Sequence, residues 1–156
     1  MADTNFRATT NGRRDEKFAS VESQEQRMKM RFPSADEYTA QKARYPDSTV
    51  VDIQACQQAV SEPYRNDVLS NVNDECLRLA VFEGEYRWHC HPDSDELFLV
   101  AAGKLQIDLA DNGTLELTEW QYAVVPAGML HRTRAIGRTV NVTFERQHAR
   151  TVFADA

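Results

Sequence analysis

The stretch from Lys104 to Leu117 constrains the fold most. Leu105, Ile107 and Leu109 alternate with Lys104, Gln106 and Asp108, Asp111-Asn112-Gly113 supplies a tight turn, and Leu115 and Leu117 begin a return run. A period of two on both sides of a turn is a β-hairpin. The same punctuation continues around it: from Cys76 onward the sequence consists of short alternating runs, and five of the six glycines (Gly84, Gly103, Gly113, Gly128, Gly137) fall in this half. Near the end Val140, Val142 and Phe144 alternate with Thr139, Asn141, Thr143 and Glu145, which predicts a strand with one apolar and one wet face. The second half of the chain therefore reads as an all-β unit.

The first half reads differently. Residues 1–31 hold few apolar side chains and show no usable period, which predicts a flexible N-terminal arm. Ser34-Ala35-Asp36-Glu37 is a capping-box pattern, so a short helix is expected through about Arg44, with Pro46 beyond it. A second is expected from Asp52 through Val60, ending before Pro63. These elements make residues 32–65 a peripheral segment, and the β domain is expected over 66–150.

The chain has 156 residues, enough for one core, and its 18 Lys plus Arg against 24 Asp plus Glu give a net charge of −6. Residues 1–31 contain seven basic and five acidic residues, so the remainder carries −8. So acidic a body argues against nucleic acid, whose binding needs phosphate neutralisation. The longest apolar run is Leu97 to Ala102, far short of a membrane span. Arg13-Arg14 is followed by Asp15, Glu16 and Lys17 where an export signal needs an apolar stretch. Cys56, Cys76 and Cys90 form no CxxC pair, consistent with reduced thiols and a cytoplasmic location.

The chemistry concentrates in three histidines. In a strand, residues two apart share a face, so His89 and His91 project together while Trp88 and Cys90 point the other way. Glu96 opens the next strand after a turn-rich segment, with Asp95 as the rival carboxylate, and His131 follows Pro126-Ala127-Gly128. Three imidazoles and a carboxylate suit a divalent transition metal, Fe, Mn, Ni, Zn or Cu, rather than calcium.

At this point the sequence resembles the cupin superfamily. Its first motif, Gly, His-x-His, Glu and Gly, is matched by Gly84, His89, His91, Glu96 and Gly103; its second, Pro-x-Gly and His, by Pro126, Gly128 and His131. Trp120 stands where that second motif usually opens with Gly, and Ala135 where it often closes with Asn. The likeness covers roughly residues 70–146 and is nearest to small single-domain cupins of the sugar-isomerase-like type. It implies a jelly-roll β-barrel behind a short, partly helical N-terminal extension, a homodimer, and metal ligation by His89, His91, Glu96 and His131, with the family spacing favouring Glu96 over Asp95.

Residues sharing the inward parity are the expected pocket lining: Arg87, Phe98, Val100, Thr133, Val142 and Phe144. Arg87 either holds an anionic substrate beside the metal, acting with Glu96 in catalysis, or faces solvent. No nucleophile elbow, phosphate loop or dinucleotide fingerprint is present. Function is expected at the barrel site: a metal-dependent enzyme of oxygenase, isomerase or lyase type acting on a small oxygen-rich or anionic molecule, or else a non-catalytic ligand-binding or sensory module.

Overall fold

A computed structural model describes residues 31–111 and 113–154. The arm expected over residues 1–31 lies outside these except for Arg31, and Asn112 of the hairpin turn lies outside them too. Among the described residues two short helices precede nine strands: α1 (Ala35–Thr39), α2 (Ile53–Gln58), β1 (Tyr64–Val72), β2 (Glu75–Glu85), β3 (His89–Cys90), β4 (Glu96–Ala102), β5 (Lys104–Leu109), β6 (Gly113–Thr118), β7 (Tyr122–Val125), β8 (His131–Arg146) and β9 (Val152–Phe153). No helix among them is long and apolar enough to cross a membrane. Cys56, Cys76 and Cys90 are free thiols.

Both helices start where the capping residues predict. The Ser34 hydroxyl accepts from the Glu37 amide while the Glu37 carboxylate accepts from the Ser34 amide, and the Asp52 carboxylate accepts from the Ala55 amide at 3.1 Å. Both end earlier than expected. After Thr39 the chain leaves the helix and extends along the sheet edge, where the Arg44 and Tyr45 amides donate to the Val68 and Leu69 carbonyls of β1.

The strands form one curled, antiparallel sheet organised around the long β8. On one edge β8 pairs with β2 along most of its length and then with β3; on the other it pairs in turn with β5 and β4. The hairpin read from the sequence is β5–β6, with Leu105 opposite Leu117 and Ile107 opposite Leu115. At the β4–β5 joint Gly103 has φ +87°, and a Cβ there would stand 2.8 Å from the Arg138 carbonyl oxygen, so this close approach requires glycine.

The sheet buries apolar residues on both faces. Inside the curl Phe82, Phe98, Val100, Leu105, Ile107 and Val125 pack together. Outside, Leu69, Leu79, Val81, Val140 and Val142 are covered by Tyr45, Val51, Ile53 and Val60 from the α1–α2 region. This arrangement corrects two expectations. Residues 32–65 are not merely peripheral: they seal the outer face, and Tyr38 of α1 is itself buried. The polar residues of β8 are not a wet face either, because Thr139, Asn141, Thr143 and Glu145 are buried within the curl. With the outside of the sheet covered by its own apolar layer, the strand turns its apolar set outward and its polar set toward the interior.

Candidate functional site

Three imidazoles reach the interior from adjacent backbone. β3, only two residues long, lies between β8 and β9, and His89 is the direct cross-strand partner of His131. His91 follows immediately, its carbonyl accepting from the Gly128 amide at 2.9 Å, so the Pro126–Gly128 turn ties the two histidine segments together. Glu96 enters from the first position of β4. All four side chains are buried. Asp95 is exposed and accepts from the Ala127 amide instead.

Each ring is fixed through Nδ1. His89 Nδ1 lies 2.9 Å from the Arg87 carbonyl, His131 Nδ1 2.9 Å from the Met129 carbonyl, and His91 Nδ1 3.3 Å from the Arg150 carbonyl. A carbonyl can only accept, so Nδ1 carries the hydrogen in all three and a neutral ring keeps its lone pair on Nε2. Those Nε2 atoms face carboxylates: His91 Nε2 is 3.3 Å from Glu96 Oε2 and 3.5 Å from Glu145 Oε2, and His131 Nε2 is 3.4 Å from Glu96 Oε2. None of these four atoms has an aligned hydrogen-bond partner. Buried lone pairs converging on one space repel unless a proton or a metal cation lies between them.

The ligand atoms of His89, Glu96 and His131 lie within 4.8 Å of one another, as do those of His91, Glu96 and Glu145. Opposite ligands of a transition ion stand about 4–4.4 Å apart, so the first trio suits a single ion, with His91 across the shared Glu96. The structure thus brings His89, His91, Glu96 and His131 around one space, with His91 drawn toward a carboxylate that the sequence did not single out.

Electrostatics follow from burial and these contacts. Burial, reinforced by His131, pulls His89 down to about 3, so its ring is neutral at ordinary pH. Burial also opposes charge on His91, but Glu96 and Glu145 outweigh it and hold that ring up at about 9. Glu96 is held well below the usual carboxylate range because the His131 and His91 contacts outweigh its burial. Burial and the neighbouring Glu96 push Glu145 up to about 7.

Glu145 belongs to a buried set of its own. Its Oε1 accepts from the Tyr38 hydroxyl at 2.6 Å and lies 3.5 Å from Arg78 Nη1. The Arg78 guanidinium sits 3.7 Å over the Tyr38 ring, donates to Asn66 at 3.1 Å and also bonds Gln41. Sequence reasoning missed Tyr38, Arg78 and Glu145. The available signal was the alternation of Asn141, Thr143 and Glu145 with apolar neighbours, which shows that they share a face without saying which side it lies on.

A cavity with about 30 Å³ of space for water-sized bodies adjoins the imidazoles. Phe98 and Thr133 are in its lining, together with Tyr38, Tyr86, Asn141 and Thr143. Four expected lining residues are placed differently. Val100 packs in the inner apolar cluster beyond the cavity wall. Val142 belongs to the outer cluster, and Phe144 faces a separate outer groove with Leu97 and Val124, because β8 has the opposite facing from the one assumed. Arg87 does not line the cavity: residues 86–88 leave strand geometry, so the alternation does not extend back from His89, and its guanidinium stacks 3.5 Å from the centre of the Phe153 ring.

Residues 78–144 match the cupin domain family. The uncharacterized protein YdbB of Bacillus subtilis (strain 168) is 46% identical over 108 residues, covering 69% of this chain and 96% of that relative. The chain belongs to the cupin family. Among solved structures, the cupin-2 domain containing protein of Shewanella frigidimarina NCIMB 400 is 29% identical with a TM-score of 0.59, covering 62% of this chain and 94% of that one. Protein NMB1881 from Neisseria meningitidis is 26% identical with a TM-score of 0.58, covering 63% and 99%. The curled sheet described above is the cupin jelly roll, and residues 31–63 form an extension ahead of its first strand.

Proposed function

We propose that the protein is a metal-dependent cupin enzyme acting on a small oxygen-rich or anionic molecule, with His89, His91, Glu96 and His131 holding one divalent transition metal, Fe, Mn, Ni, Zn or Cu. The observation that carries this reading is the orientation of the rings: three Nδ1 atoms tied to backbone carbonyls turn the Nε2 atoms toward a buried space beside Glu96. When bound, such an ion supplies a Lewis-acidic or redox-active centre for a substrate oxygen. The chain's own residues do the rest. Glu96 would offset one charge of the ion, Phe98 and the tyrosines wall the cavity, and the Tyr38 and Arg78 contacts hold Glu145 in place beside His91. The tight enclosure of the cavity supports a second reading, a non-catalytic cupin that holds a small ligand, and turnover separates the two.

Metal analysis of untagged protein tests the site. About one equivalent is expected in the wild type and in a His148→Ala control, whose histidine is exposed, with most of it lost in His89→Ala and His131→Ala. Full stoichiometry in both of those variants would refute the assignment. Oxygen uptake and product analysis against diketones, phenols and sugar acids then distinguish the enzyme from the binding module.

A further inference from the structure

The interior face of β8 carries two polar atoms that nothing among the described residues satisfies. Asn141 and Thr143 are each only 2% exposed, and Asn141 Oδ1 and Thr143 Oγ1 have no hydrogen-bond partner among the described residues. Leaving such a group unpaired is destabilising, and here two stand on one strand face. Their cross-strand neighbours cannot help. Val100 and Ala80 flank Asn141, while Phe98 and Arg78 flank Thr143. The Arg78 guanidinium is engaged with Asn66, Gln41 and Glu145. Both residues line the cavity that also holds His89, His91 and Glu96.

We propose that Asn141 and Thr143 form a hydroxyl-recognising subsite for a two- or three-carbon 2-hydroxy-carboxylate bound beside the imidazoles. The inference rests on the metal-centre reading above and names the substrate class for it. Three observations select that class. An amide oxygen can only accept, so Asn141 Oδ1 requires a donor, and the Thr143 hydroxyl takes either role; a ligand hydroxyl serves both. Arg78 and Glu145 offset each other, so a divalent ion held beside Glu96 leaves one positive charge in a buried site, which a carboxylate neutralises. The cavity's approximately 30 Å³ corresponds to roughly two waters, so a ligand enters only as the cavity widens, and the smallest hydroxy acids demand the least widening. Glycolate and lactate meet the first two conditions with that least widening, and acetate and propionate lack only the hydroxyl.

Calorimetric titration of the metal-loaded, untagged protein with lactate against propionate, and glycolate against acetate, tests the proposal, with bound metal measured on the same samples. The wild type should bind each hydroxy acid at least about tenfold more tightly than its partner. A hydroxyl can also gain affinity by chelating the ion, so the deciding comparison uses Thr143→Val, which keeps the side-chain shape, and Asn141→Leu. Both should retain their metal and their propionate affinity while discrimination falls to roughly threefold or less, and Thr143→Ser should restore it. The subsite is overturned if the wild type binds neither acid, if it binds both equally, or if discrimination persists in both variants. A wild type that carries metal without discriminating leaves the metal centre standing and removes the subsite. One that discriminates, loses this in the variants and holds no metal does the reverse.

Discussion

Replacing Arg78 by Met should destabilise the protein far more than an ordinary arginine substitution. Arg78 is 1% exposed, and its guanidinium lies 3.5 Å from Glu145 Oε1, 3.1 Å from Asn66 Oδ1 and 3.7 Å from the centre of the Tyr38 ring. At that separation the Coulomb attraction to Glu145 is about 4–5 kcal/mol for an effective dielectric near 20. Met fills similar volume but leaves Glu145 buried without its cation, a change that typically costs about 3–5 kcal/mol. Glu145→Gln removes the charge while keeping an oxygen for the Tyr38 hydroxyl. The double variant should therefore recover part of the loss, giving a coupling energy of about 1–3 kcal/mol. Urea unfolding of the four proteins at about pH 8, above the value to which Glu145 is raised, and in the presence of a chelator measures the cycle without a metal contribution. A cost below about 1 kcal/mol for Arg78→Met, or additivity within about 0.5 kcal/mol, would show that the pair is not the buried anchor described here.

Two further outcomes follow from local geometry. Trp120 has φ +65° and is 76% exposed, so Trp120→Gly relieves left-handed strain of about 1–2 kcal/mol while losing little packing. Allowing for the greater freedom of glycine when unfolded, a gain of about 0.5–1 kcal/mol and a Tm rise of roughly 2–3 °C are expected; a fall in Tm would refute the strain argument. Asp108 accepts from Arg134 at 2.7 and 2.8 Å, from Thr114 at 2.7 Å and from Arg132 at 2.9 Å, and the Arg134 contact leads in holding its carboxyl well below the ordinary range. Because the folded value is depressed, its contribution is fully present above about pH 4 and is lost as pH falls through the folded value. Urea midpoints between pH 5 and pH 2 should drop more steeply in the wild type than in Asp108→Asn, and parallel curves would argue against the linkage.

The parts of this fold that could be read in the sequence are those whose signal is local. Alternation around Asp111–Gly113 places Leu105 opposite Leu117, and Ser34 with Glu37 marks a helix start, because each depends on neighbours only a few residues away. His89 and His91 were legible through strand parity, while Glu96 in preference to Asp95 came from the spacing of the cupin motif that the sequence resembles. What could not be read was the sidedness of β8. Alternation shows that Asn141, Thr143 and Glu145 share a face, but only the tertiary layer of Tyr45, Val51, Ile53 and Val60 over Val140 and Val142 decides which face is interior. Tyr38 was hidden for the same reason: its contact with Glu145 spans 107 residues.

β8 also joins the site to the stability of the whole molecule. One 16-residue strand carries His131, Thr133, Asn141, Thr143 and Glu145, and it exchanges ladder hydrogen bonds with β2, β3, β4 and β5. A segment bonded on both edges cannot detach by fraying. Its amides over residues 140–144, flanked by both β2 and β4, should exchange with solvent deuterium only through global unfolding, whereas those of the two-residue β9 should exchange through local opening. The cavity wall is thus part of the last unit to open, so traffic to and from the interior has to pass through movement of shorter elements such as β9 and the segment around Tyr86, while the residues of β8 stay in register.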